Sequence, residues 1–363
     1  MIALSLVENK KLRIIEKRIP KKLHPLKCRL QILYSGICAS DIPRAFNGMA
    51  YSYPLIMGHE FVGKIIQTGK SVTKFNNNDI VSAYPLIPQC IHDHKKNICD
   101  NCKSENYNLC NNYSFYGSRI DGSFCEVLDV YEWNIYKINK KMDLNICSLI
   151  EPTAVAFNIL DKFPNFLPKK NRFLLIGSGF IGQILARILK RKKPKINLTT
   201  LDRNSFKLKK IKKYSSDQLL FTNKNSKEDH YILSSLNEKF DVVIESSGNY
   251  KNFVSSLNFA KKNGSIIFSG NPNNDIEFSK NQISGILRKE LIIKGVWNSS
   301  FKKKMNNWKS AEYFLANIQN GNLGQLITHA AGLENSAELL NKIHISKNRK
   351  TNLNYIKGLI KIF

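Results

Sequence analysis

The sequence predicts an α/β chain of two domains, a β-rich unit followed by a doubly wound parallel sheet. Three observations carry this reading. The chain has 363 residues, beyond the length at which one hydrophobic core keeps growing. Its first 150 or so residues hold short apolar runs with turn residues between them, as at 29–34, 61–67 and 80–84, and no sustained helical spacing. From about residue 153, apolar runs alternate with helix-length segments, which is the signature of βαβ units around a parallel sheet.

In that second region Arg172–Ile176 is an apolar run, followed by a glycine turn and then by helical spacing over 181–189. A second run at 197–201 leads into a Lys-rich, helix-like stretch to Lys213, and a third run lies at 218–221. Further runs at 241–245 and 265–269 each follow a helix-length segment. After about 297 come a helix-like segment at 308–319 and a last strand-like run at 359–363. The domains are therefore expected at 1–152, 153–297 and 298–363, the last returning to the first unit.

Composition narrows the class. A hydrophobic content of 42% is that of a globular protein. No apolar run has membrane-spanning length, and the apolar start ends at Glu8, Lys10 and Lys11, too soon for an export signal. A cytoplasmic protein is expected. The formal net charge of +28 invites a nucleic-acid partner. However, 45 of the 56 basic residues are lysine, spread along the chain with clusters at 190–195, 207–213 and 302–304. Arginine, the preferred residue for specific phosphate recognition, is scarce. A solvated surface is the better reading of that charge. Eight cysteines without an export signal do not suggest disulfides. Their spacing suggests metal.

Gly177-Ser178-Gly179-Phe180-Ile181-Gly182 follows the run Arg172–Ile176 and opens a helix. In that strand–turn–helix context GxGxxG is a dinucleotide fingerprint. The first glycine makes the turn, the second admits the pyrophosphate, and the third lets helix and strand pack closely. The phosphates then lie at the helix N-terminus. Asp202, twenty residues after Gly182, ends the next strand-like run, where an acid bonds the ribose hydroxyls and favours NAD. Arg203 beside it weakens that preference, because arginine can accommodate the extra phosphate of NADP.

Cys38, His59 and Glu151 form a mixed thiolate, imidazole and carboxylate set that suits Zn2+ with one position open. Zinc is a Lewis acid that lowers the pKa of a bound hydroxyl, as it takes water from about 15.7 to near 7. That would ready an alcohol to give hydride to nicotinamide. A second, closed zinc site is suggested by Cys99, Cys102 and Cys110 with Cys90 before them.

In their order along the chain these motifs resemble the zinc-dependent medium-chain alcohol and polyol dehydrogenase family over essentially the whole sequence. The resemblance implies a β-rich, GroES-like catalytic domain, a Rossmann domain inserted in it, and an active site in the cleft between them. It implies that Cys38, His59 and Glu151 hold the catalytic zinc, with Glu60 as a neighbouring or exchanging ligand. Asp41 would orient His59, and Ser40 would take the alcohol proton. Glu at 151 resembles the sorbitol-type branch. The family's four structural cysteines usually stand at spacings of two, two and seven; here the first interval is stretched, position 96 is Lys96, and Cys90 is the candidate first ligand, with His92 or His94 able to substitute. A His often found three residues beyond the relay serine is Pro43 here, so the proton needs another exit.

The stretches Ser40-Asp41-Ile42-Pro43-Arg44, Tyr53-Pro54, 116–122 and 286–291 resemble family members acting on a sugar-alcohol phosphate. A phosphorylated substrate needs cationic partners, for which Arg44 and Arg119 are the candidates. Neutral polyols, smaller diols and threonine stay open as substrates. Two other readings are a zinc-free reductase and a basic nucleic-acid binder on the same scaffold. The resemblance also implies a homodimer or homotetramer.

Overall fold

The structure, a computed structural model, describes residues 1–92, 98–162, 172–222, 226–301, 306–318, 323–347 and 353–363. The basic cluster at 302–304, His94 and Lys96 lie outside them. The chain forms two compact units, one of Met1–Ala154 with Ser299–Phe363 and one of Val155–Asn298.

In the first unit a large sheet has the order Ile135–Lys137, Ile80–Ala83, Glu60–Thr68, Lys27–Ile37, Lys357–Lys361 and Ile327–Gly332, with Val127–Tyr131 also paired to Lys27–Ile37. Its long strand KCRLQILYSGI packs Leu30 and Ile32 into a core with Leu4, Phe61, Ile65 and Val81. Burying such side chains contributes about 1.5–3 kcal/mol each. The chain returns to this unit through the helix Asn307–Asn317. There the buried Glu312 accepts from the Tyr136 hydroxyl and Asn139 N–H, each at 2.6 Å, and from Lys140 N–H at 2.9 Å.

The second unit is a six-stranded parallel sheet in the order Asp217–Leu220, Asn197–Asp202, Arg172–Ile176, Phe240–Glu245, Ala260–Phe268 and Ile292–Gly295. The order reverses between Arg172–Ile176 and Phe240–Glu245. In doubly wound sheets, ligands bind beyond the strand ends at that point. The fold is the predicted one, a GroES-like β-rich unit with a Rossmann unit.

Some elements were not legible. The strands Ile327–Gly332 and Ile292–Gly295 contain no buried residue, so they carry no buried-face alternation. The helix Ser336–Lys347 interrupts its apolar positions with Asn341, Lys342 and His344. The first 150 residues also hold short helices such as Asp41–Phe46, too short to show a period.

Candidate active site and metal centres

Three strands bring the first cluster together. Lys27–Ile37 runs antiparallel to Glu60–Thr68 with Gly36 opposite Glu60, and antiparallel to Lys357–Lys361 with Gly36 opposite Leu359. This register sets Cys38, His59, Glu60 and Lys357 at one sheet end. Ligand atoms of Cys38, His59 and Glu60 lie within 4.8 Å of one another. Glu60 and Lys357, both buried, form an ion pair. A Cβ on Gly36 would lie 2.5 Å from Glu60 Oε2 and 3.2 Å from Lys357 Cε, so the pair needs glycine there.

Glu151, in the first turn of the helix Ile150–Asp161, is buried but does not join the group of three ligand atoms. Burial pushes its carboxyl up to about 8; His59 and Lys357 oppose this, and Glu60 and Cys38 add to it. Burial, then Glu60 and Asp41, likewise push the Cys38 thiol up to about 11, against Lys357 and a hydrogen bond with Ser40. Asp41 is engaged elsewhere than expected. Its Oδ2 accepts from Cys38 N–H at 2.9 Å and its Oδ1 from Arg44 Nη1 at 2.9 Å. Oδ1 is 3.8 Å from His59 Nδ1, too far for a hydrogen bond, and that buried nitrogen has no partner.

The residues fit a divalent cation. Burial disfavours the ionised forms of Cys38 and Glu151 beside the buried His59, and the lysine of the cluster is already paired with Glu60. A bound Zn2+ would supply the missing positive charge.

The second cluster lies in a short, separate segment. Cys90 sits on Gln89–His92, Cys102 on Asp100–Lys103, Cys99 just before that helix, and Cys110 after the turn Tyr107–Leu109. The four sulfurs lie within 4.8 Å of one another, with Cys110 and Cys90 at 3.6 Å, and none is in a disulfide. Burial raises the Cys102 thiol. Burial raises the Cys99 thiol, but hydrogen bonds from the Asn111 and Cys102 backbone and from the Cys102 and Cys90 side chains together bring it down to about 7. Four thiols gathered this closely suit a closed structural zinc site. Cys90 completes the set. His92 is engaged elsewhere, its Nε2 3.2 Å from Asn134 Oδ1 and its ring centre 4.2 Å from that of Tyr131, tilted by 33°.

In the second unit the fingerprint turn follows Arg172–Ile176. Gly177 has φ +96°, open to glycine and costly for other residues. A Cβ on Gly182 would lie only 2.1 Å from Gly177 O, which enforces the close packing of helix on strand. A Cβ on Gly179 would meet nothing within 4 Å, so the space in front of it is free for a ligand backbone. Phe180 and Ile181 begin the helix Phe180–Lys192, whose N-terminal turn suits a pyrophosphate. Asp202 ends its strand as expected, but its Oδ2 already accepts from Ser178 N–H at 2.6 Å and Ser178 Oγ at 2.8 Å. Arg203 is exposed.

The candidate phosphate partners part company. Arg44 is largely buried and paired with Asp41. Arg119 is exposed, with its guanidinium 4.5 Å from the Tyr51 ring centre and 4.6 Å from that of Tyr113. Its loop closes on the residue before His59: a Cβ on Gly117 would clash with Gly58 O.

Lys357, Glu245 and Ser178 were not singled out from sequence as site residues. A lysine within the apolar run IKGLI was the one available signal for Lys357. The run ending in Glu245 was the signal for that acid.

Comparison with known proteins agrees with this architecture. Residues 24–140 match the alcohol dehydrogenase GroES-like domain, and residues 181–317 match the zinc-binding dehydrogenase family. Galactitol 1-phosphate 5-dehydrogenase of Escherichia coli K12 is 30% identical over 337 residues, 91% of this chain and 93% of that one. An L-threonine 3-dehydrogenase of Yersinia enterocolitica is 27% identical over 90% of this chain and 91% of its own. The crystal structure of galactitol-1-phosphate dehydrogenase from Escherichia coli superposes with a TM-score of 0.85 at 25% identity, covering 99% of this chain and 100% of that one. The chain belongs to the zinc-containing medium-chain alcohol dehydrogenase family. It is an NAD(P)-dependent zinc oxidoreductase acting on CH–OH groups, of the polyol and threonine type. Among the described residues no helix is long and apolar enough to cross a membrane.

Proposed function

We propose that the chain oxidises a secondary hydroxyl of a sugar-alcohol phosphate, of the galactitol 1-phosphate kind, to the ketose phosphate and passes the hydride to NAD. The observation that carries this reading is Arg119. It is exposed, its guanidinium lies near the rings of Tyr51 and Tyr113 with Nη2 3.4 Å from the Tyr113 hydroxyl, and its loop lies against Gly58 beside His59. A planar guanidinium presented in this way suits a phosphate monoester. Arg44, tied to Asp41, is better cast as a support for the Cys38 turn than as a phosphate ligand.

Cys38, His59 and Glu151 would hold the catalytic zinc, with Glu60 exchanging; the convergence of Glu60 with Cys38 and His59 supports its place beside them. Bound there, zinc supplies Lewis acidity that makes the substrate hydroxyl easier to deprotonate. Ser40, two residues on from Cys38, would receive that proton. Lys357 holds Glu60 in place. Cys90, Cys99, Cys102 and Cys110 would hold a structural zinc. Gly177, Gly179, Phe180, Ile181 and Gly182 would cradle the pyrophosphate, and Asp202 would read the ribose and select NAD, with Arg203 nearby. Eight free thiols support a cytoplasmic setting. The exposed edge strand Ile292–Gly295 supports a homo-oligomer.

The test is NADH formation against polyols, diols and threonine, with and without phosphate. Turnover of a hexitol phosphate, with a KM that Arg119→Ala raises about ten-fold or more, is the expected result. Equal turnover of the neutral polyol, unaffected by that substitution, would remove the phosphate assignment and leave the chemistry standing.

A further inference from the structure

A buried polar network joins the phosphate-binding turn to the ribose acid. Ser178, wholly buried, gives both its N–H and its hydroxyl to Asp202 Oδ2, at 2.6 and 2.8 Å. Asn204 N–H donates to Asp202 Oδ1 at 2.8 Å, and the Asn204 side chain caps the next helix at Lys207 N–H. Gln183, also wholly buried, closes the ring from below. Its amide donates to Ser178 O at 3.1 Å and to Lys207 O at 2.9 Å, and its Oε1 accepts from Arg187 at 2.9 Å.

A carboxylate accepts about four hydrogen bonds. Three of the four at Asp202 are taken by the protein, and the hydroxyl of Ser178 completes the pair on Oδ2. The acid therefore has one acceptor left, on Oδ1, and little freedom to rotate. A ribose 2′-hydroxyl can donate to it. A 2′-phosphate would meet a negative charge that cannot swing aside.

We propose that Ser178 is a positioning residue for cofactor choice, holding the Asp202 carboxylate in the pose that accepts a ribose hydroxyl and rejects a 2′-phosphate. This rests on Asp202 reading the ribose. It adds that the discrimination is set by a side chain inside the glycine fingerprint, at a position where the motif itself asks for nothing.

The test is fluorescence titration of the zinc-loaded protein with NADH and with NADPH. Ser178→Ala removes one oxygen atom and should weaken NADH binding about ten-fold, since the lost bond is to a charged group. NADPH binding should be no weaker, so the preference falls by about the same factor. Ser178→Cys, a weaker donor of similar size, should fall between the two. In an Asp202→Ala background, Ser178→Ala should shift the preference no further. Equal weakening of NADH and NADPH by Ser178→Ala would mean that the serine only shapes the turn, and would overturn the inference. A preference moved by Asp202→Ala but not by Ser178→Ala would overturn it too, while leaving the ribose reading intact. A preference unmoved by Asp202→Ala would overturn both.

Discussion

The two units answer buried negative charge in different ways. In the first, Glu60 faces the ammonium of Lys357, in a cluster with Cys38 and His59, with the buried Glu151 close enough to feel their charge. In the second, Glu245 is fully buried at the end of its strand and is met by neutral donors: Ser247 N–H at 2.8 Å, the Ser247 hydroxyl, and Gly248 N–H at 3.1 Å. The first cluster holds more acidic groups than cations, an excess that a bound metal would balance. The nucleotide unit is complete as folded, its ligand face made of backbone N–H groups and glycine-shaped space. Damage to the first should therefore appear in rate and metal content, and damage to the second in cofactor affinity and pH response.

The sharpest contrast is in His59→Ala. Loss of the imidazole should lower turnover by about 10³-fold or more, because it removes a metal ligand and with it the Lewis acid. NADH binding, read by fluorescence, should stay within about two-fold, since its determinants lie in the other unit. A variant that keeps its rate would break the division of labour. Next is Cys102→Ser in the four-cysteine site. Metal analysis should fall from two zincs per chain to one, and thermal stability should drop by on the order of 5 kcal/mol as a structural metal is lost. An unchanged metal count would mean that the four thiols hold no zinc.

Smaller still should be Lys357→Met. It leaves Glu60 buried without its cation, for which a cost of about 3–5 kcal/mol is expected in denaturant unfolding. Lys357→Met with Glu60→Gln should recover most of that loss, because the charge is removed together with its partner. If the double variant is no better than the single one, Lys357 contributes by packing and not by pairing.

What could be read from sequence was what is local. The fingerprint turn was legible because strand, glycines and helix follow one another directly, and each glycine has one physical demand. The cysteine loop was legible for the same reason, since its ligands fall within twenty-one residues. Lys357 was not: it is 297 residues from Glu60 and reaches it only through strand register. Arg44, one helical turn on, was missed as a partner of Asp41, on the same oxygen that faces His59. Ser178 looked like an arbitrary residue between two glycines until the parallel pairing of Arg172–Ile176 with Asn197–Asp202 placed Asp202 beside it. Strands with no buried side chain left no pattern to read.

Glu245 gives the mildest test, and its sign separates the two strategies. Burial pushes its carboxyl up to about 7, against the hydrogen bonds from Ser247 and Gly248 that favour the ionised form. The folded protein therefore holds this proton more tightly than the unfolded chain, where the value is near 4.5. The resulting stabilisation is fully present below the unfolded value and is lost as pH rises through about 7. Between those limits it amounts to on the order of 3 kcal/mol. Glu245→Gln keeps the shape and cannot ionise, so its stability should lack this slope. Denaturant midpoints of the two proteins, measured from pH 4 to 8, should diverge as the parent weakens with rising pH. Parallel curves would mean that the neutral donors hold the charge as well as water does. The nucleotide unit would then match the catalytic unit in tolerating a buried carboxylate, with no cation needed.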